Sequence, residues 1–289
     1  MKKVLLMIFI QTLLVSNFTY AKWDKMLTDY LHTFKEEKLD NQSLLGIWYG
    51  ISKPNNDLLM NNQVFSDGYN LGIEYGFIRY KESKELGSFK LNYGERMFVE
   101  NSSSHLKPST IAINGETYDT WTFGLSAIDG VGVKFGDNSI DFAHQSAFIW
   151  AHIDFENYDR HNIVNAQIQN IDDKIKFGRM NTLQFNFNIN NTINLGVQKR
   201  FSYVFQDYEF SDFAVSYLVE ITAQKLIEFI DTQMNETFGK DYWLAKYVYK
   251  SLITLGLNEL YKKNGYFPIK SKQPFYQNSY LIYISISGN

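Results

Sequence analysis

The densest set of groups that could do chemistry lies in one short stretch, His152-Ile153-Asp154-Phe155-Glu156-Asn157-Tyr158-Asp159-Arg160-His161. Its imidazole and carboxylates at 152, 154 and 156 stand at alternate positions. On a β-strand alternate residues share a face, so His152, Asp154 and Glu156 would converge as a metal-ligand set or an acid–base pair requires. A polar strand face running into a charged loop has the same spacing. The charges that follow favour this second reading, because an isolated motif match is common by chance. Asp172-Asp173 likewise reads as a solvated turn. The five histidines (His32, His105, His144, His152, His161) are scattered, and none stands with a serine in a lipase pattern. No GxSxG, HExxH, Walker or dinucleotide fingerprint is present. No catalytic, cofactor-binding or metal-ligating residue is therefore assigned, no cofactor is expected, and the chain is not read as an enzyme. The absence of cysteine rules out disulfides, thiolate nucleophiles and thiolate metal sites.

Elements must hold even these residues in place, and the first is an address. Lys2 and Lys3 precede an apolar run, Val4–Val15, and Thr19-Tyr20-Ala21 ends in a small residue. This is the pattern of a secretory signal peptide, residues 1–21, cleaved after Ala21. No later uncharged run is long enough for a membrane helix. A net charge of -3 gives no reason to expect a nucleic-acid partner. Aromatic residues make up 17% of the chain, which suits broad strands and the aromatic girdles of membrane barrels; an AT-rich genome would also inflate Phe, Tyr, Asn, Ile and Lys. Residues 22–45 form an N-terminal helical segment, with Trp23, Met26, Leu27, Tyr30, Leu31 and Phe34 at helical spacing.

From residue 46 to 289 the pattern is mainly β. Phe185, Phe187 and Ile189 alternate with Asn186 and Asn188, and Ile193, Leu195 and Val197 alternate with Asn194 and Gly196. Only a three-residue loop, Asn190-Asn191-Thr192, lets the apolar faces coincide, with Ile189 opposite Ile193. Ile47–Ser52, Tyr69–Phe77, Ser88–Val99, Trp121–Ala127, Val131–Phe135, Ala147–Phe155, Lys174–Ile189 and Tyr280–Ile286 bring the strand candidates to nine, and Ile140–Ala143 is a further one. Trp121–Ala127 and Val131–Phe135 read as a hairpin around Ile128-Asp129-Gly130. Glu74 is expected to face Lys90 or Arg96 across an interior.

Ser211–Met234 and Asp241–Lys262 have helical periods, the second with Tyr242, Ala245, Tyr249, Leu252 and Gly256 on one face; together they form an insertion over 211–264. A lone strand after such an insertion needs an early partner, and closure removes both edges. The fold expected is a closed antiparallel meander β-barrel of eight to ten strands, with an N-terminal helix and a helical hairpin before the last strand.

The chain resembles uncharacterised outer-membrane β-barrel proteins of Gram-negative bacteria, of the Bacteroidetes and Ignavibacteria kind. Thr122–Gly136, Gln145–Phe155 and Ser216–Ile230 carry the likeness. Such barrels usually end in an aromatic residue read by the assembly machinery, whereas this chain ends Ser287-Gly288-Asn289. The resemblance implies outer-membrane lipid and the barrel-assembly machinery as partners. Two readings follow. In one, an outer-membrane barrel is structural or passes small solutes, with the helical pair as plug, cap or docking face for a protein partner. In the other, a soluble periplasmic β-protein turns its apolar faces inward around an apolar ligand or binds a protein partner. Periodicity does not distinguish inside from outside.

Overall fold

The computed structural model describes residues 41–55, 65–81, 88–106, 115–156, 166–206, 242–265 and 272–288. The signal peptide, the N-terminal helix up to residue 40 and the first helix of the expected hairpin, Ser211–Met234, lie outside the described residues. Eight strands follow one another: β1 Asn41–Pro54, β2 Gly68–Lys81, β3 Phe89–Ser103, β4 Thr117–Phe135, β5 Asn138–Glu156, β6 Lys174–Ile189, β7 Ile193–Val204 and β8 Phe275–Gly288. A 3-10 turn, Ser104–Leu106, follows β3; a short helix, α1 Ala166–Gln169, precedes β6; a longer one, α2 Tyr242–Asn264, precedes β8.

Each strand pairs antiparallel with the next, and β8 closes on β1 through pairs such as Ile284 with Ile47. Stepping from partner to partner from Leu44 through Gly76, Arg96, Ser126, Ala147, Met180, Ser202 and Gln277 returns to β1 at Pro54, ten residues along. A stagger of this kind belongs to strands tilted by roughly 35–45°, and eight strands leave an interior that side chains just fill.

The β6–β7 hairpin has the expected register, with Ile189 opposite Ile193, Phe187 opposite Leu195 and Phe185 opposite Val197. Asn190 and Asn191 carry the positive φ, at 52° and 53°. The expected hairpin around Ile128-Asp129-Gly130 does not form. Instead β4 runs unbroken through it, and Asp129 and Gly130 pair with His144 and Ala143. A three-residue loop preserves the alternation of faces, so Ala127, Asp129 and Val131 would have read the same either way. The actual turn is Gly136-Asp137, with Gly136 at φ 66°. Ile140–Ala143 and Ala147–Phe155 are one strand, β5, so the count is eight, not nine or ten. Strand β1 begins at Asn41, inside the segment 22–45 read as helical. Strand β3 runs on past Val99 through Asn101-Ser102-Ser103.

The two rims differ. Gly136-Asp137 and Asn190-Asn191-Thr192 make tight turns at one rim, where β1 also starts and β8 ends. The connections at the other rim are longer: residues 55–67, 104–116, 157–173 and 205–274.

The apolar faces point outward. Ile47, Ile73, Val99, Phe123, Trp150, Phe185, Leu195 and Ile284, one from each strand, are all exposed, while Asn70, Thr122, Gln145, Gln184, Asn194 and Ser285 are buried on the opposite face. Glu95 on β3 interrupts the outer band. An apolar interior with a polar outside, the soluble alternative, is not the observed arrangement.

Candidate functional site

The interior is filled by its own side chains, in layers. Near the tight-turn rim the Lys90 ammonium lies 3.3 Å from an Asp141 carboxylate oxygen and 4.3 Å from the Tyr80 ring centroid. Above it Arg96 pairs with Glu74, as the alternation of faces predicts, and the Tyr283 hydroxyl donates to the same carboxylate at 2.6 Å. Higher again, Arg200 pairs with Glu100 and lies 4.4 Å over the Trp48 ring. These charges are all buried. A buried charge without a partner would cost several kcal/mol, which explains the pairing across the lumen. Glycines make room for the rings. A Cβ on Gly72 would come within 2.3 Å of Trp48, its register partner, and one on Gly124 within 2.1 Å of Phe98. At the long-loop mouth Phe65 packs on Phe155 at 5.4 Å and on Phe275 at 5.8 Å, with Ile168 of α1 and Ile171 in the same cluster.

The second site is on the outer wall, and it is built by α2. The helix ends where Gly265 takes φ 70° and its N–H donates to the Tyr261 carbonyl at 2.9 Å. Its contacts are with outward-facing positions, so it lies on the wall and does not enter the lumen. Tyr247, Lys250, Thr254, Asn258 and Tyr261 are spaced three or four residues apart and form one helix face. Each meets a polar group. The Tyr247 hydroxyl donates to the Asp129 carbonyl at 2.8 Å, and Lys250 donates to the Asp129 carboxylate at 3.2 Å. Thr254 Oγ1 faces His144 Nε2 at 3.3 Å, and His144 Nδ1 lies 3.7 Å from Asp129 Oδ1. Asn181 donates to Asn258 Oδ1 at 3.0 Å, Arg179 to the Tyr261 hydroxyl at 3.2 Å, and the Tyr203 hydroxyl to the Asn258 carbonyl at 3.0 Å. The helix thus runs obliquely from β4 to the long-loop ends of β7 and β8.

The rest of the α2 surface, with Tyr249 directed away from the wall and Val248 and Leu252 on the flank, is exposed and largely apolar. It includes Tyr249, Leu252 and Gly256 of the face picked out by sequence spacing. The wall-facing stripe is a different one, and its polar members gave no hydrophobic signal. Toward its C-terminal end the helix also packs Ile253, Leu257 and Leu260 against Phe201, Tyr203 and Tyr276, and Glu259 and Lys263 are exposed there.

Asp129, His144 and Thr254 stand in the order of a carboxylate–imidazole–hydroxyl relay, in which the imidazole takes the hydroxyl proton as the oxygen attacks an acyl carbon. Thr254 is 1% exposed and His144 3%, so a substrate carbon has no approach to that hydroxyl. The other Asp129 carboxylate oxygen holds Lys250. The cluster is a polar clamp that fixes α2 to the wall.

Of the sequence's strongest chemical candidate, His152 turns toward the Asp172-Asp173 stretch. His152 and Asp154 are on the outward face of β5, both partly exposed, and His152 Nε2 lies 3.2 Å from Asp173 Oδ1. Asp172 accepts from the Phe155 N–H at 3.0 Å, and Asp173 has φ 53°, so Asp172-Asp173 is a turn. No group of three or more metal-ligating side chains exists among the described residues. Glu156 ends β5.

The fold defines a class: a closed eight-strand antiparallel meander barrel, polar inside and apolar outside. No family model and no curated protein matches the chain. Among solved structures it is similar to Neisserial surface protein A, at 7% identity and TM-score 0.37, over 86% of this chain and 99% of that one. It is also similar to Ail, the attachment invasion locus protein of Yersinia pestis, at 9% identity and TM-score 0.30, over 86% of this chain and 98% of that one. The narrower likeness to Bacteroidetes and Ignavibacteria barrels has no counterpart among these matches.

Proposed function

We propose that the protein is an outer-membrane β-barrel that conducts no solute and works through its lipid-facing wall. The observation that carries this reading is the band of large exposed apolar side chains on all eight strands. In water such a surface would be far larger than a stable monomer exposes; in hydrocarbon it is the favourable surface. The rims support the same reading, since outer-membrane barrels have short periplasmic turns and longer outer loops. The tight-turn rim then faces the periplasm. Lipid covers the exposed face of α2, and the barrel-assembly machinery inserts the chain. The filled interior supports a structural role over passage of solutes.

Carbonate washing of cell envelopes tests the location. The protein is expected to stay with the membrane pellet, and its release into the supernatant would refute the reading. The lack of native cysteine gives a test of orientation. His105→Cys, beyond β3, should react with an impermeant maleimide on intact cells, and Asp137→Cys, in the β4–β5 turn, only after permeabilisation. The reverse pattern would invert the barrel.

A further inference from the structure

Between α2 and the outer wall runs an apolar groove of about 800 Å³, walled by Phe142, Leu183, Val197 and Ile282 from the strands and by Val248 and Leu252 from α2. Lys199 is its one charged lining group. The size falls in the range of small-molecule sites, about 300–1,000 Å³, which are mostly apolar with a few placed polar groups. The groove is held in shape, because the Asp129–His144–Lys250 clamp fixes α2 beside it.

Lys199 is the anomaly. It is half-buried in an apolar wall, midway along β7. Its ammonium lies 5.2 Å from the Phe201 ring centroid and 5.5 Å from that of Tyr280, and among the described residues no carboxylate pairs with it. A cation at such a depth is costly without an anionic partner, and an intramembrane charge of this kind marks a binding site. We infer that the groove binds a long-chain fatty acid, with the carboxylate on Lys199 and the alkyl chain along α2 toward Phe142. The depth argument rests on the membrane reading above. A phospholipid keeps its phosphate at the interface, roughly 15 Å from the midplane of a hydrocarbon core ~30 Å thick. That phosphate does not reach Lys199, whereas a carboxylate at the end of an unbranched chain does.

Equilibrium binding of radiolabelled palmitate to the full chain in maltoside micelles tests the site. One saturable palmitate per chain is expected, at least tenfold weaker in Lys199→Gln and within threefold of the parent in Lys199→Arg. Leu252→Trp, which fills the groove and leaves Lys199 in place, should lose saturable binding. Phosphatidylglycerol should not displace the palmitate. Folding of each variant is read from its heat-dependent gel shift. Non-saturable partition alone, unchanged binding in folded Lys199→Gln, or displacement by equimolar phosphatidylglycerol would each overturn the assignment. Release of the protein by carbonate with palmitate binding intact would instead remove the membrane reading and leave the groove as a site.

Discussion

Glu100 and Arg200 come from β3 and β7, strands that are not neighbours, and meet across the lumen. Neither is solvated. Removing one charge leaves the other buried without a partner, a loss of about 3–5 kcal/mol. Glu100→Gln should therefore lower the guanidinium midpoint of the detergent-folded protein sharply. The double variant Glu100→Gln/Arg200→Met, which removes both charges, should recover most of that loss. Additive losses in the double variant would show that the two residues are not coupled. The Glu74–Arg96 pair was legible in the sequence, because strand alternation and a short loop put both on one face of adjacent strands. The Glu100–Arg200 pair was not, because the stagger of the whole closed sheet decides which distant residues meet. The same stagger gives Lys90 to Asp141 and not to Glu74.

At the scale of the element, the strands were legible wherever apolar and polar residues alternate cleanly, and the β6–β7 register followed from matching faces. The β4 stretch was misread because Asp129-Gly130 has the chemistry of a turn and a three-residue loop leaves the period unchanged. Asp129 stays in the strand because α2 supplies partners for its carbonyl and its carboxylate. Those partners lie more than a hundred residues away and left no local trace. The wall and the helix respond differently to substitution. Ile73→Arg and Leu195→Arg place a charge on the exposed apolar band, at a cost of roughly 2–4 kcal/mol near the bilayer midplane. Both should reduce the folded fraction in lipid, and full assembly of both would argue against a lipid-facing band. Asp129→Leu should act on α2 alone. It removes the acceptor for Lys250 and the carboxylate beside His144, so amide exchange in 242–264 should speed up while the strands keep their protection. Unchanged exchange in α2 would show that the clamp does not hold it.

For the whole molecule, the question is what closes the barrel. A helical insertion before the last strand suggests a plug from sequence alone, since its broad apolar faces must be buried somewhere. The described helix instead lies outside the wall, and the lumen holds paired charges below and the Phe65–Phe155–Phe275 cluster above. Replacing residues 211–264 with a Gly/Ser linker then has two separable outcomes. Conductance in planar bilayers should stay at the background of the parent protein, because the charge pairs and rings of the interior layers come from residues outside 211–264. Assembly should suffer, because Asp129, His144, Arg179 and Asn181 would face lipid with their α2 partners gone, and unpaired polar groups in hydrocarbon cost several kcal/mol each. Substituting those wall residues with Leu in the same linker variant should restore assembly, still without conductance. A rise in conductance in either variant would show that the insertion closes the pore after all.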